Sequence, residues 1–437
     1  MIVKLFNRIT AFYLKVVSSL GFWPTIITVA YAVAAGLLVW LDTDKITTAL
    51  LESFPALVIK DGDTARVILS TVVGGLVSLT VFSFTMVMAQ LNRAATSYSP
   101  RLLPGLISTK SHQVVLGTFL GGITFCLIVL ITIEPSDDSY ELPGLAILIA
   151  VGLSIGCLGT FVYFIHSISQ AIQVTNILQR VANDTADRLR ELSERDERNQ
   201  HKEKPDFETA QVIKSSETGY FQGCNSSALA SIAKQNDLVL EVVPLHGEFV
   251  LENTQLVRLS KEVDDETAGE MKSCFRFSGS AFVRDNYVLG FKQITEIAVR
   301  AMSPGTNDPG TALTAIDHLT HLIFLRSKFD DEEIHFDDDS EPRAIIAAVS
   351  FSELMYPLLA SLRQYCKHDI VIVQKLLQMF DYLFQQPIET ESHRETLKRE
   401  VDTLISDARD SIESEADLKI LEQKIKALSC ETSSPSD

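Results

Sequence analysis

The sequence predicts an α-helical membrane protein, four transmembrane helices joined to an α+β cytoplasmic part made of a small β-rich module plus a helical bundle. Two observations carry this expectation. Four stretches in the first 180 residues lack Asp, Glu, Lys and Arg: Phe22–Leu41, Val67–Asn92, Ser111–Ile133 and residues 142–179. Each supplies about 20 apolar residues or more, the length a helix needs to cross the hydrocarbon core. After Arg180 nothing comparable recurs. The expected spans are about 22–41, 67–90, 112–133 and 143–166, inside a membrane domain of residues 1–180. A helical stalk and linker (181–215), a small α+β module (216–262), a helical domain (263–429) and a disordered tail (430–437) follow.

Loop charges set the orientation. The N-terminal segment carries Lys4, Arg8 and Lys15 without an acid, and the segment after the second run carries Arg93, Arg101 and Lys110. Asp42, Asp44, Glu52, Asp61 and Asp63 crowd the loop after the first run, diluted by Lys45 and Lys60. The loop after the third run holds Glu134, Asp137, Asp138 and Glu141 and no base. Positive residues mark the cytoplasmic side, so both termini are expected inside, with the chain in a bacterial inner (plasma) membrane. A cleaved signal peptide is the competing reading of the N-terminus. The first run ends in Leu-Val-Trp-Leu without a small-x-small cleavage site, and Trp23 and Trp40 bracket it like interfacial anchors.

The net charge of −18 argues against a nucleic-acid partner and leaves the lipid bilayer as the expected one. None of the six cysteines forms a CxxC pair, so neither a disulfide framework nor a zinc site is expected.

The second helix is the least lipid-like of the four. Thr71, Gly74, Ser78 and Thr85 share one helical face by their spacing. Hydroxyls gain nothing from lipid, so the stripe is either a packing seam or the lining of a wet path. GxxxG spacings at Gly117–Gly121 and Gly152–Gly156 add packing motifs to the third and fourth helices. The span interiors hold no ionisable group of the kind a proton-coupled transporter uses. The fourth run outlasts one crossing; its second half, from His166 to Asn176, is polar and reads as a helix continuing into a stalk. In the loop after the second span, Arg93 and Arg101 suit either lipid headgroups or attraction of an anion at an inner mouth.

In the cytoplasmic part, residues 191–210 are dense in charge and read as a helix end and linker. Gly219–Gln222, Leu238–Leu251 and Gln255–Leu259 look like short strands, with a helix over Ser226–Gln235 capped by Asn225 or Ser226. Tyr287–Met302 is helical and closes at Ser303-Pro304-Gly305; Asn307 and Asp308 then precede Pro309 and a helix over Thr311–Leu325. Asp before Pro at a helix start is an N-cap signature, and the alternative is a polar, anion-binding notch. His318 and His321 lie three apart with nothing to complete a metal-ligand set. Residues 327–341 form an acidic loop without EF-hand spacing. Helices at about Ser350–Cys366, Ile370–Gln385 and Glu389–Ala427 complete the chain.

Five motifs stand out: the Ser/Gly-rich second helix running into Gln90-Leu, Ser99-Pro-Arg-Leu-Leu103, Gln113-Val-Val-Leu-Gly-Thr-Phe119, Thr218-Gly-Tyr-Phe-Gln222 and Glu296–Pro309 followed by Thr311-Ala. In these the chain resembles a bacterial family of predicted membrane proteins known as domain of unknown function 2254. The resemblance spans nearly the whole chain and implies this topology and this set of parts, without an activity. The segment around Leu245-His-Gly-Glu-Phe-Val250 also resembles the turn of half a barrel-sandwich module, but no lysine stands at its tip to carry biotin or lipoate.

No nucleophile–base pair, phosphate-binding glycine loop, paired acids or ligand cluster is present, so neither an enzyme nor a cofactor is expected. The specific expectation is a homo-oligomeric, channel-like protein for a small ion or solute, gated by its cytoplasmic domains. The other is a membrane-anchored scaffold or sensor whose helices only pack.

Overall fold

The computed structural model describes residues 21–41, 61–97, 110–135, 140–141, 144–171, 173–197, 207–278, 286–329, 331–336, 341–388 and 390–432. They fall into two compact units, Met1–Gln173 and Val174–Asp437.

Among the described residues, the first unit holds four helices long and apolar enough to cross a membrane: α1 (Phe22–Leu41), α2 (Gly62–Ser97), α3 (Lys110–Ile131) and α4 (Gly144–Ala171). Helix α3 is central, with α1, α2 and α4 all packed on it. Its GxxxG spacing explains the fit with α1. A Cβ at Gly117 would lie 2.9 Å from Ile27 Cδ1, and one at Gly121 would lie 2.8 Å from Tyr31 Cγ. The second GxxxG behaves differently: nothing lies within 4 Å of a Cβ built at Gly152 or Gly156. Ala65, Leu69, Phe125, Cys126, Val129, Ile147 and Ala150 form one buried cluster, and Leu76, Phe119, Cys157 and Phe164 belong to a second.

Helix α2 begins at Gly62 and not near Val67, which brings Arg66 inside it. An arginine is tolerated there because its guanidinium donates to the Ile133 carbonyl at 2.6 Å, just beyond the end of α3. The acidic loop after α3 is pinched by a short hairpin, β1 (Glu134–Pro135) with β2 (Tyr140–Glu141).

The continuous stalk expected after His166 is divided. Helix α4 stops at Ala171, and a separate helix, α5 (Val174–Glu197), belongs to the second unit. Its apolar stripe, Ile177, Leu178, Val181, Ala182, Ala186 and Leu189, is buried. That amphipathic face is why the segment packs as a core helix and not as a free stalk.

Among the described residues, the second unit contains two sheets. Strands β3 (Gln211–Lys214), β4 (Gly219–Cys224), β5 (Leu240–Val242), β6 (Phe249–Val250) and β7 (Gln255–Leu259) enclose α6 (Ser226–Gln235) in the sequence. Asn225 caps α6, accepting from the Ala228 amide at 3.1 Å. After α7 (Asp265–Ser273) and β8 (Phe275–Ser278), the chain returns to the sheets much later with β9 (Glu332–Phe336) and β10 (Pro342–Ala347). The sheet orders are β3-β7-β5-β10-β9 and β6-β4-β8, and among the described residues only β5 with β10 is parallel. The β-bearing region is thus larger than residues 216–262, and part of the acidic segment 327–341 is a strand. Strand β9 stands at the end of the five-stranded order, on the far side of β10 from β5.

The remaining helices are α8 (Tyr287–Ala301), α9 (Pro309–Arg326), α10 (Phe351–Cys366), α11 (Ile370–Phe384), α12 (Glu391–Ser411) and α13 (Glu415–Thr432). A capping box between Ser350 and Glu353 opens α10. The single long helix expected over Glu389–Ala427 is broken at Ile412, whose extended backbone and buried side chain turn the chain into α13. Helix α13 also runs past residue 430, where the disordered tail was expected to begin. Helices α10 and α12 are joined by a buried ion pair, Arg363 to Glu400 at 2.7 Å, with Asp407 on the guanidinium Nε at 3.2 Å.

Candidate functional site: the outward face of α2

Thr71, Gly74, Ser78 and Thr85 are all exposed, on the side of α2 turned away from the other described helices of the membrane unit. Helical geometry makes this inescapable. Leu76 is buried, and positions 74 and 78 are each two residues away, about 200° round the helix. Nothing lies within 4 Å of a Cβ built at Gly74 or its neighbour Gly75. Among the described residues of the membrane unit, the stripe therefore plays no part in packing. Bulky neighbours flank it, including Val67, Val77, Val81, Phe82, Phe84 and Met88.

The hydroxyls of the stripe are satisfied along their own helix. Thr71 donates to the Val67 carbonyl at 2.7 Å, Ser78 to Gly74 at 2.9 Å and Thr85 to Val81 at 2.8 Å. This pairing lets hydroxyls sit in an apolar surrounding without an orphaned donor, while both lone pairs of each hydroxyl oxygen stay available. Arg93 lies near the C-terminal end of α2, and Arg101 lies outside the described residues. The loop reading that joins the two arginines is therefore an expectation from sequence alone.

In the second unit, the Ser303–Asp308 corner joins α8 to α9. Asp308 accepts from the Thr311 amide at 3.2 Å and from the Thr311 hydroxyl at 2.6 Å, while its own amide donates to the Ala301 carbonyl at 2.8 Å. Asn307 takes φ 45°, the left-handed region that asparagine tolerates better than most residues. Asp308 is thus an N-cap with Pro309 beside it, and residues 304–310 are exposed. Asp308→Ala should cost about 1 kcal/mol of stability while leaving membrane insertion intact. Thermal unfolding of the full chain beside a membrane-fraction assay checks this. Loss of any activity at unchanged thermal stability would make the corner a binding site.

One constellation was not anticipated from the sequence. Arg326, fully buried at the end of α9, donates to the Phe329 carbonyl at 2.9 Å and to the Val349 carbonyl at 3.0 Å, and pairs with Asp331. His393 from α12 places Nε2 at 3.4 Å from the same Asp331 oxygen and lies 4.4 Å, centroid to centroid, from the ring of Phe351. Burial by itself would raise the Asp331 carboxyl. His393, the Arg326 charge and the Phe351 amide outweigh it and hold the group at about 2. Burial pushes the Tyr287 phenol up, and its hydroxyl donates to the same Val349 carbonyl at 3.4 Å. The node ties the ends of α8, α9, α10 and α12 together. A signal for it existed in Arg326, a cation closing the apolar run Leu322-Ile-Phe-Leu325, but its partners come from distant segments.

Half-burial lowers His318 and His321. Among the described residues no group of three His, Cys, Asp or Glu is placed to hold a metal ion.

Four apolar helices and a separate α+β unit define the class, a membrane protein with a large extramembrane part. The sequence profile of the predicted membrane protein family DUF2254 matches residues 17–382, and the chain belongs to that family. Uncharacterised proteins of Mycobacterium bovis and Mycobacterium tuberculosis are each 24% identical to it over 348 residues, covering 77% of this chain. The match spans 66% of those relatives' length, just under two thirds. No solved structure matches the chain.

Proposed function

We propose that the chain assembles with copies of itself through the outward face of α2, forming a channel-like protein for a small ion or solute that the second unit governs. The carrying observation is that Thr71, Gly74, Ser78 and Thr85 face away from the other described helices of the membrane unit. In a bilayer such a face meets lipid tails, another chain or water. Lipid gains nothing from hydroxyls and bare glycine backbone, whereas a second helix gains close approach. A ring of such faces would also leave hydroxyl oxygens available to a wet axis. No catalytic step belongs to this reading. The loop charges favour a bacterial inner membrane with both ends of the chain on the cytoplasmic side.

A scaffold or sensor without flux is the second reading, favoured by one observation. The stripe hydroxyls already bond to their own carbonyls, so a dry seam leaves none of them without an acceptor. Ser78→Leu separates the two in one sample of proteoliposomes. For a wet path, the leucine should block flux by dewetting while assembly persists. For a dry seam, the same leucine should lower the oligomeric mass. Normal assembly together with normal flux would overturn both.

A further inference from the structure

We infer that the seam between α5 and α9 binds a phosphate group, gripped by Arg190, His318, His321 and Lys328. All four residues belong to the second unit, and α5 packs directly on α9 within it. His318 and His321 are three residues apart, which makes them neighbours on one face of α9. Phe324 continues the same row by a further three residues, and Lys328 Nζ lies 4.6 Å from the centre of its ring. Successive steps of the row thus present a cation or a group that becomes one. Arg190 adds another from α5.

The four groups act on one another. Burial first, and then the charges of Arg190, His318 and Lys328, push the His321 imidazole below its ordinary value. Burial lowers His318 too, against the opposing pull of Asp317. Two acids border the cluster and both are engaged: Asp187 with Arg190 at 3.0 Å, and Asp317 with Lys375 of α11 at 2.5 Å. The Arg190–Asp187 pair is exposed on both sides, so it contributes little and uses one corner of the guanidinium. A phosphate fits the donors that remain. Its oxygens accept from guanidinium, ammonium and imidazolium alike, and its charge offsets the repulsion within the cluster. A metal ion does not fit, because Arg190 and Lys328 are cations with no lone pair to give.

Free phosphate and a lipid headgroup carry the same chemistry, and one experiment separates them. NMR of isotope-labelled histidine in the full chain, held in nanodiscs, follows the His321 ring, identified by its loss in His321→Gln. In phosphatidylcholine discs, inorganic phosphate should raise the His321 midpoint and saturate, because a bound anion stabilises the imidazolium. Sodium chloride at equal ionic strength should raise it less and without saturation. Arg190→Gln alters an exposed side chain and should weaken phosphate binding about tenfold, the loss of one charge-assisted contact. It should also raise the midpoint before any phosphate is added, since a like charge is gone. In phosphatidylglycerol discs, a midpoint already raised and indifferent to added phosphate would make the headgroup the occupant. A midpoint equal to that in phosphatidylcholine, and still responsive, would make it the free anion. Phosphate acting no more strongly than chloride, with no effect of phosphatidylglycerol, would overturn the inference. So would equal phosphate affinity in wild type and Arg190→Gln.

Discussion

Arg363→Ala should destabilise the second unit by about 3–5 kcal/mol, the cost of stranding a buried charge. Glu400 is the charge stranded: its side chain is 2% exposed and takes the guanidinium at 2.7 Å. Asp407, the second partner, is 36% exposed and returns to water when Arg363 is removed. Arg399 is a poor substitute, 3.9 Å from the other Glu400 oxygen and 61% exposed. Replacing both partners with apolar residues, Arg363→Met with Glu400→Leu, should recover most of the loss because no charge is then left in the core. Thermal unfolding of the full chain in detergent reads both. Equal melting of wild type and the single variant would show that the pair contributes nothing.

The Arg326 node predicts an acid-sensitive contact. Asp331 sits at about 2 in the folded chain, below its ordinary 3.8, so its contribution is fully present above pH 4. As pH falls from 4 towards 2 the carboxyl is protonated and that contribution is lost. Asp331→Ala removes it at every pH and leaves the buried Arg326 guanidinium the Phe329 and Val349 carbonyls as its hydrogen-bond acceptors among the described residues. The expected cost near neutrality is about 2–3 kcal/mol, below the range for a fully enclosed pair, because Asp331 is 35% exposed and partly screened. Measured from pH 7 to pH 2, the gap between wild type and variant should close below pH 4. A gap that stays constant to pH 2 would mean that the carboxylate is not what holds the node.

The parts of this fold that were legible from sequence are those written in contiguous residues. Uncharged runs gave the four apolar helices, Asn225 and Asp308 announced their caps, and Gly117 and Gly121 marked a seam that α1 does fill. Contacts between distant segments were not legible. Strand β10 joins β5 across about a hundred residues, so the sheet extends well beyond the module read from local pattern. Nothing local links Arg326 to His393. The break at Ile412 was invisible because the flanking segments carry one continuous helical pattern. For the stripe on α2, spacing gave the face but not its direction. Only the packing of Leu69, Leu76 and their neighbours shows that it turns outward.

The central claim is that this outward face meets the same face of another copy. Ser78→Cys in a background without the native cysteines, oxidised in intact membranes, tests that contact directly. The account predicts covalent dimers from Ser78→Cys and none from Val72→Cys, which lies on the half-buried side of α2 packed within the chain. Dimers absent from Ser78→Cys, or equally abundant from both variants, would contradict it.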